Sequence, residues 1–195
     1  MKLSILVNML PSRFDLSVPL LTSLNKQIED NKATQNVEIL GLLDNKNMTV
    51  GEKRNYLLML AKGDYITFVD DDDRVADFYI EKILEALKTP VDLVLFPHLL
   101  TYVITKKNMG KHILCEYDLS YKKGEDYAPG RYRGPPAHTH VWRYGVARCA
   151  MFEERNYQED SHWVSEIAGH VKSVYKLEEV LYFYDFNSNR TETRS

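Results

Sequence analysis

The apolar positions of the first hundred residues alternate between two patterns, short near-continuous runs of strand length and positions three or four residues apart. Residues 3–8 form the first run, and after Pro19 the positions Leu20, Leu21, Leu24 and Ile28 recur at helical spacing. Residues 37–43 predict a second strand that ends at Asp44 and Asn45, followed by a helix over residues 52–62 closed by Gly63. Residues 65–69 predict a third strand. Asp77 is placed to cap a helix whose inward face is Ile80, Ile83, Leu84 and Leu87, and Pro90 ends that helix before a fourth strand over residues 91–96. Strands alternating with helices predict an α/β protein with a mostly parallel central sheet flanked by helices.

Past residue 97 the alternation fails. Residues 101–106 and His112–Tyr117 are spaced as a hairpin, and the polar, Tyr- and Pro-rich stretch 118–136 predicts a loop. A short helix is expected over residues 159–169, then two strands over 171–177 and 180–186 and a polar tail. No internal repeat is visible. With 195 residues, 44% hydrophobic and 27% charged, the chain suits one domain with a substantial core.

A formal charge of −3 offers no global attraction to nucleic acid or anionic lipid. Cys115 and Cys149 lack metal-site spacing, and the first apolar run is too short for a signal segment or a membrane span. A cytoplasmic protein with reduced thiols and no membrane insertion is expected.

The strongest chemical signal is Asp70, Asp71, Asp72 and Asp73, placed directly behind the third strand. Neighbouring carboxylates repel and raise one another's pKa, so such a run suits a hard cation. An EF-hand is excluded, because Arg74 and Val75 stand where that loop needs a polar fifth residue and a glycine. A solvated acidic turn is the plain alternative. A divalent ion held by one or two carboxylates and completed by substrate phosphates explains the run better. In open parallel sheets ligands bind beyond the carboxyl ends of strands, where both Asp44 and the acidic run are expected.

The segments Gly51-Glu52-Lys53-Arg54-Asn55 and Ala61 to Asp73, with its Gly63-Asp64-Tyr65-Ile66 turn and Asp-rich end, resemble the nucleotide-sugar half of family-two glycosyltransferases, which have the Rossmann-like GT-A fold. The resemblance implies a mostly parallel sheet with a small antiparallel acceptor-side portion, residues 1–98 binding the donor and residues 99–195 supplying acceptor site and base. It implies Mn2+ or Mg2+ as cofactor and a nucleoside-diphosphate sugar, most simply a uridine one, as donor. Asp70 is then expected near ribose and metal, Asp72 as leading metal ligand, Asp73 in support, and Asp71 at the variable position. Asp44 matches a base-holding residue, Arg54 and Asn55 lie in the nucleotide-side motif, and Arg190 matches a phosphate contact in a C-terminal segment that could equally be frayed. The segment 8–13 departs from the family's usual loop.

Gln158-Glu159-Asp160-Ser161 resembles the motif that supplies the base in inverting members, implying Asp160 as base and Glu159 as its neighbour or an acceptor contact. An attacking hydroxyl must lose its proton, and a carboxylate within reach can take it. The plain alternative is a pair of first-turn carboxylates complementing a helix dipole. His138 and His140 are candidates to complete the metal site, ahead of His162 and His170; Trp142 and Trp163 could stack on a ligand or pack in the core. Between residues 118 and 155 arginines and lysines interleave with aromatics, which suits an anionic or planar acceptor, either a glycan or a nucleic acid with a hydroxymethylated base, or else a solvated loop. The competing classes are a nucleotide-sugar or glycan-binding module without turnover, and a nucleotidyltransferase, for which Met9-Leu10-Pro11 lacks a glycine-rich phosphate loop. Glycoside hydrolysis needs no acidic run.

Overall fold

The structure is a computed structural model that describes residues 1–104 and 110–187. In chain order it contains β1 (Leu3–Met9), α1 (Phe14–Asp30), β2 (Val37–Leu43), α2 (Val50–Leu60), β3 (Tyr65–Phe68), β4 (Arg74–Val75), α3 (Tyr79–Ala86), β5 (Leu93–Leu95), β6 (His98–Ile104), β7 (His112–Tyr117), β8 (Glu125–Ala128), β9 (Arg131–Gly134), β10 (Val141–Arg143), α4 (Tyr144–Ala147), α5 (Glu159–Ile167), β11 (Val174–Lys176) and β12 (Tyr182–Asn187).

The near-continuous apolar strands are buried on both faces, as a sheet covered by helices on either side requires. Leu3, Ile5 and Val7 of β1 pack with Leu20, Leu24 and Ile28 of α1 and Ile80 and Ile83 of α3. Leu6, Ile66 and Phe68 face the other way, onto Leu57 of α2 and Trp163 and Ile167 of α5. The strand order is β11-β5-β10-β3-β1-β2, with β1 parallel to both β2 and β3. The carboxyl ends of β1, β2 and β3 therefore open on one edge of the sheet. β10 is the exception, antiparallel to both β3 and β5. It has only three residues, so no period is readable in it, and pairing on both sides defines it.

A second six-stranded sheet, ordered β4-β12-β6-β7-β9-β8, stands where the resemblance implies an acceptor-side portion. Its β6–β7 and β8–β9 pairs are antiparallel, whereas β12–β6 and β7–β9 are parallel. The expected hairpin is thus present, entering at His98, while residues 105 and 106 of that expectation lie outside the described residues. The stretch expected as a loop, 118–136, contains β8 and β9, turning at Gly130 with φ of 69°.

Three local expectations are corrected. α1 begins at Phe14 rather than after Pro19; Pro19 lies on its exposed face, where water can serve the carbonyl left without a donor. Asp77 does not cap α3, whose N-cap position is Phe78 without a side-chain cap. Gly63 does not close α2, which starts in a Thr49–Glu52 capping box and ends at Leu60. Gly63 is needed for close approach instead: a Cβ there would lie 2.6 Å from the Ser4 nitrogen and 2.6 Å from the Tyr65 oxygen, both backbone atoms. Gly63→Ala must therefore push β1 and β3 apart, and is expected to lower the unfolding free energy by about 2–3 kcal/mol. Urea denaturation checks this, and an unchanged midpoint would contradict the account.

Candidate functional site

β3 delivers the acidic run into a turn closed by the Asp73 amide donating to the Asp70 carbonyl at 3.1 Å. Much of the charge is answered by the protein itself. Arg13, on the turn after β1, pairs with both Asp71 and Asp72. The Leu10 amide donates to the other Asp71 oxygen at 3.1 Å. Tyr182 of β12 accepts from the Asp70 amide at 3.1 Å and donates to Asp73 Oδ2 at 2.6 Å. Burial, with Asp70 and Asp72 nearby, pushes the Asp73 carboxyl well above its ordinary range.

Arg54, 5% exposed, is the central cation. Its Nη2 lies 3.2 Å from Asp70 and its Nη1 3.1 Å from Glu159, and its guanidinium packs 5.6 Å from the ring centres of Phe68 and Phe152. His138 forms the second bridge, with Nε2 3.5 Å from Asp70 and Nδ1 3.2 Å from Asp160. Burial alone would raise the carboxyls of Asp70 and Asp160; the adjacent His138 and Arg54 outweigh it and hold both well below the usual range. On His138 burial and Arg54 act downward, but the two carboxylates prevail and raise its pKa. Glu159 is pushed up by burial.

The base motif is aimed by backbone geometry. Gln158, immediately before α5, sits at φ 62°, a left-handed conformation rare outside glycine, and turns the chain so that the first turn of α5 faces the acidic run. The preceding loop is anchored on α2, where a Cβ on Gly51 would meet the Glu153 carbonyl oxygen at 1.8 Å.

Asp70, Asp72, His138, Glu159, Asp160 and Arg54 thus share the walls of one cleft of about 730 Å³. Asp44, Asn55 and His140 are not among its lining residues. Asp44 accepts from Asn47 Nδ2 and the Met48 amide, both at 3.1 Å, and so organises its own loop. Asn55 grips the backbone of Phe152, donating to its carbonyl at 2.9 Å and accepting from its amide at 2.8 Å; it positions the loop before the base motif rather than facing a nucleotide. His140 is fully buried, with Nδ1 accepting from the Ala137 amide and Nε2 3.2 Å from the Phe96 carbonyl, and burial pushes its pKa down to about 4. Both ring nitrogens are used, which removes it as a metal ligand. Glu159 serves Arg54 instead of standing free for an acceptor. Trp142 and Trp163 are core residues. Arg190 lies outside the described residues. Arg13 and Tyr182 were not singled out by the sequence; the nearest signal was that segment 8–13, at the carboxyl end of the first strand, ends in an arginine.

Among the described residues no three His, Cys, Asp or Glu side chains converge as a closed metal cage. The donor set nevertheless fits a hard divalent ion. Asp70 and Asp72 present oxygens to the cleft, and Asp73 Oδ1 is buried without a hydrogen-bond partner among the described residues. Two carboxylates with remaining positions left to phosphate and water is an arrangement such ions accept.

Residues 23–155 match the family described as Glycosyl transferase family 2. No curated protein sequence matches the chain. Among solved structures, residues 1–349 of S. aureus TarS superimpose with a TM-score of 0.62 at 16% identity, covering 95% of this chain and 60% of that one. TarS 1–349 in complex with UDP-GlcNAc gives a TM-score of 0.66 at 15% identity over 100% of this chain and 61% of that one. A third, its complex with UDP, gives 0.62 at 15% identity over 96% and 61%. The chain thus spans about three-fifths of that TarS fragment. These likenesses establish the GT-A fold. The family match ends before Gln158, so the base motif stands on its geometry alone.

Asp71 is 3% exposed, and its burial outweighs Arg13 and pushes its carboxyl up to about 6. Against an unfolded value of about 3.9, the folded state holds this proton between pH 4 and 6 while the unfolded state releases it, so stability is lost as pH rises through that window. In Asp71→Asn this decline is expected to shrink by roughly 2–3 kcal/mol between pH 4 and 7, measured by urea unfolding across pH. Parallel pH curves for the two proteins would refute it.

Proposed function

Because the chain belongs to glycosyl transferase family 2, we propose that it moves a sugar from a nucleoside-diphosphate sugar, a uridine one, to an acceptor hydroxyl with inversion at the anomeric carbon. The observation that carries this reading is that Asp70 and Asp160 line one cleft and are joined through His138. A metal-side carboxylate and a base-side carboxylate flanking a shared space are what direct displacement requires. TarS, the structural neighbour, forms complexes with UDP-GlcNAc and with UDP, which supports the uridine donor.

In this reading residues 1–98 hold the donor and residues 99–195 supply acceptor site and base within one domain. Asp70 and Asp72 would hold Mn2+ or Mg2+, which would neutralise charge developing on the departing diphosphate. The acceptor oxygen attacks the anomeric carbon as the bond from that carbon to the diphosphate oxygen breaks. The diphosphate leaves with the bonding electron pair, and the acceptor proton passes to Asp160. Asp160 is ionised at neutral pH, and as a weak base it takes the proton only as the bond to the anomeric carbon forms. His138 fixes its carboxylate through Nδ1, and Arg54, held by Glu159 and Asp70, adds positive charge beside the leaving group.

A binding module without turnover is the second reading, favoured by the pairing of Arg13 with Asp72, which a metal must loosen. Calorimetric titration with UDP in Mn2+ and in chelator separates the two. Metal-dependent binding that weakens at least tenfold in Asp72→Ala is expected. Asp160→Asn should bind UDP as the parent does and lose about 10²–10⁴-fold in kcat. Full turnover in Asp160→Asn would remove it as the base, and equal UDP binding with chelator would favour the module.

A further inference from the structure

The cleft continues beyond the base onto one face of the second sheet, and that face has its own chemistry. Strand alternation puts every second side chain there. Register places Tyr184 beside Leu100 and Leu100 beside Ile113, and in the next row His98 beside Cys115 and Cys115 beside Tyr132. All six line the cleft, with Tyr102 and Tyr117 on the same strands. Among the described residues of this sheet, Asp126 is the only Asp, Glu, Lys or Arg that lines the cleft.

The cations that interleave with these aromatics in sequence point the other way and are paired. Arg131 lies 3.4 Å from Glu116, Arg133 lies 2.6 Å from Glu125, and neither lines the cleft. Among the described residues, a polyanion laid along this wall would meet Asp126 and no arginine or lysine of the sheet.

A second observation points to a hydroxyl-bearing ligand. His98 is 5% exposed and borders the cleft; its Nδ1 contacts the Tyr117 hydroxyl at 3.1 Å, while its Nε2 is buried with no hydrogen-bond partner among the described residues. Such an atom is costly to leave unpaired, and a hydroxyl can serve it whichever tautomer the ring adopts.

We propose that this aromatic wall is the acceptor subsite and that it takes an uncharged saccharide, packing a ring face on Tyr184 and giving a hydroxyl to His98. The assignment rests on the transferase reading for the word acceptor, but the binding itself does not require turnover. It selects a neutral sugar over a nucleic acid, because the wall offers stacking surface without phosphate contacts.

The test is saturation-transfer NMR with a panel of uncharged para-nitrophenyl pyranosides and disaccharides, run beside a single-stranded oligonucleotide carrying 5-hydroxymethylcytosine. At least one pyranoside is expected to show ring-proton saturation, weakened about fivefold or more in Tyr184→Ala and restored in Tyr184→Phe. Tyr184 is 36% exposed, so its truncation leaves the core intact, and a UDP titration of the same variants reports the donor side separately. No pyranoside binding by a protein that binds UDP would overturn the proposal, as would oligonucleotide binding that competes at this wall. Loss of UDP binding with pyranoside binding retained would instead remove the transferase reading and leave the saccharide site standing.

Discussion

Four consecutive carboxylates at the end of a buried strand impose the constraint to which the rest of the cleft responds. Left alone they would repel one another and resist burial, so each needs a partner that the fold must bring from far along the chain. Arg13 comes from the turn after β1, Arg54 from α2, His138 from the segment before β10, and Tyr182 from β12. The acidic run thus ties both sheets to one point. The two halves of the chain meet there because charge compensation requires it, and the acidic run and the first turn of α5 are brought into one cleft as a result.

The same compensation sets the chemistry. Asp70 and Asp160 share His138, and Asp70 and Glu159 share Arg54, so the five groups form one network rather than separate pairs. A buried network of this kind is valuable only when every member is satisfied; beside it, Asp73 Oδ1 is buried without a hydrogen-bond partner among the described residues. The pairing of Arg13 with Asp72 belongs to the same logic: an internal cation stands where an external one is proposed to bind, and the exchange keeps the local charge balanced.

The donor half was largely legible from sequence because its signals are local. Apolar runs and helical spacing placed β1, β2, β3, α2 and α3 to within a few residues, and carboxylates behind a strand marked its open end. What was not legible depends on contacts between distant segments. β10 has no period of its own, Gly63 looks like a helix stop until β1 is laid beside it, and Asn55 looks like a ligand contact until Phe152 arrives to use both its amide atoms. His138 and His140 are two residues apart and equivalent in sequence, yet one bridges two carboxylates and the other is locked on backbone in the core.

The arginine and tyrosine interleaving after residue 118 shows how a composition signal changes meaning once the element is known. In a loop, cations next to aromatics form a mixed surface that would suit a planar anion. In a strand, neighbours point to opposite faces, so Arg131 and Arg133 go with Glu116 and Glu125 while Tyr132 turns to the cleft. Read as a loop, the stretch merges two surfaces into one. Separating them leaves a nearly neutral wall beside an acidic run dense in charge. Under the proposed function the two substrates would meet different physics within one cleft: the donor would be held by fields that fall with salt, and the acceptor by apolar contact that does not.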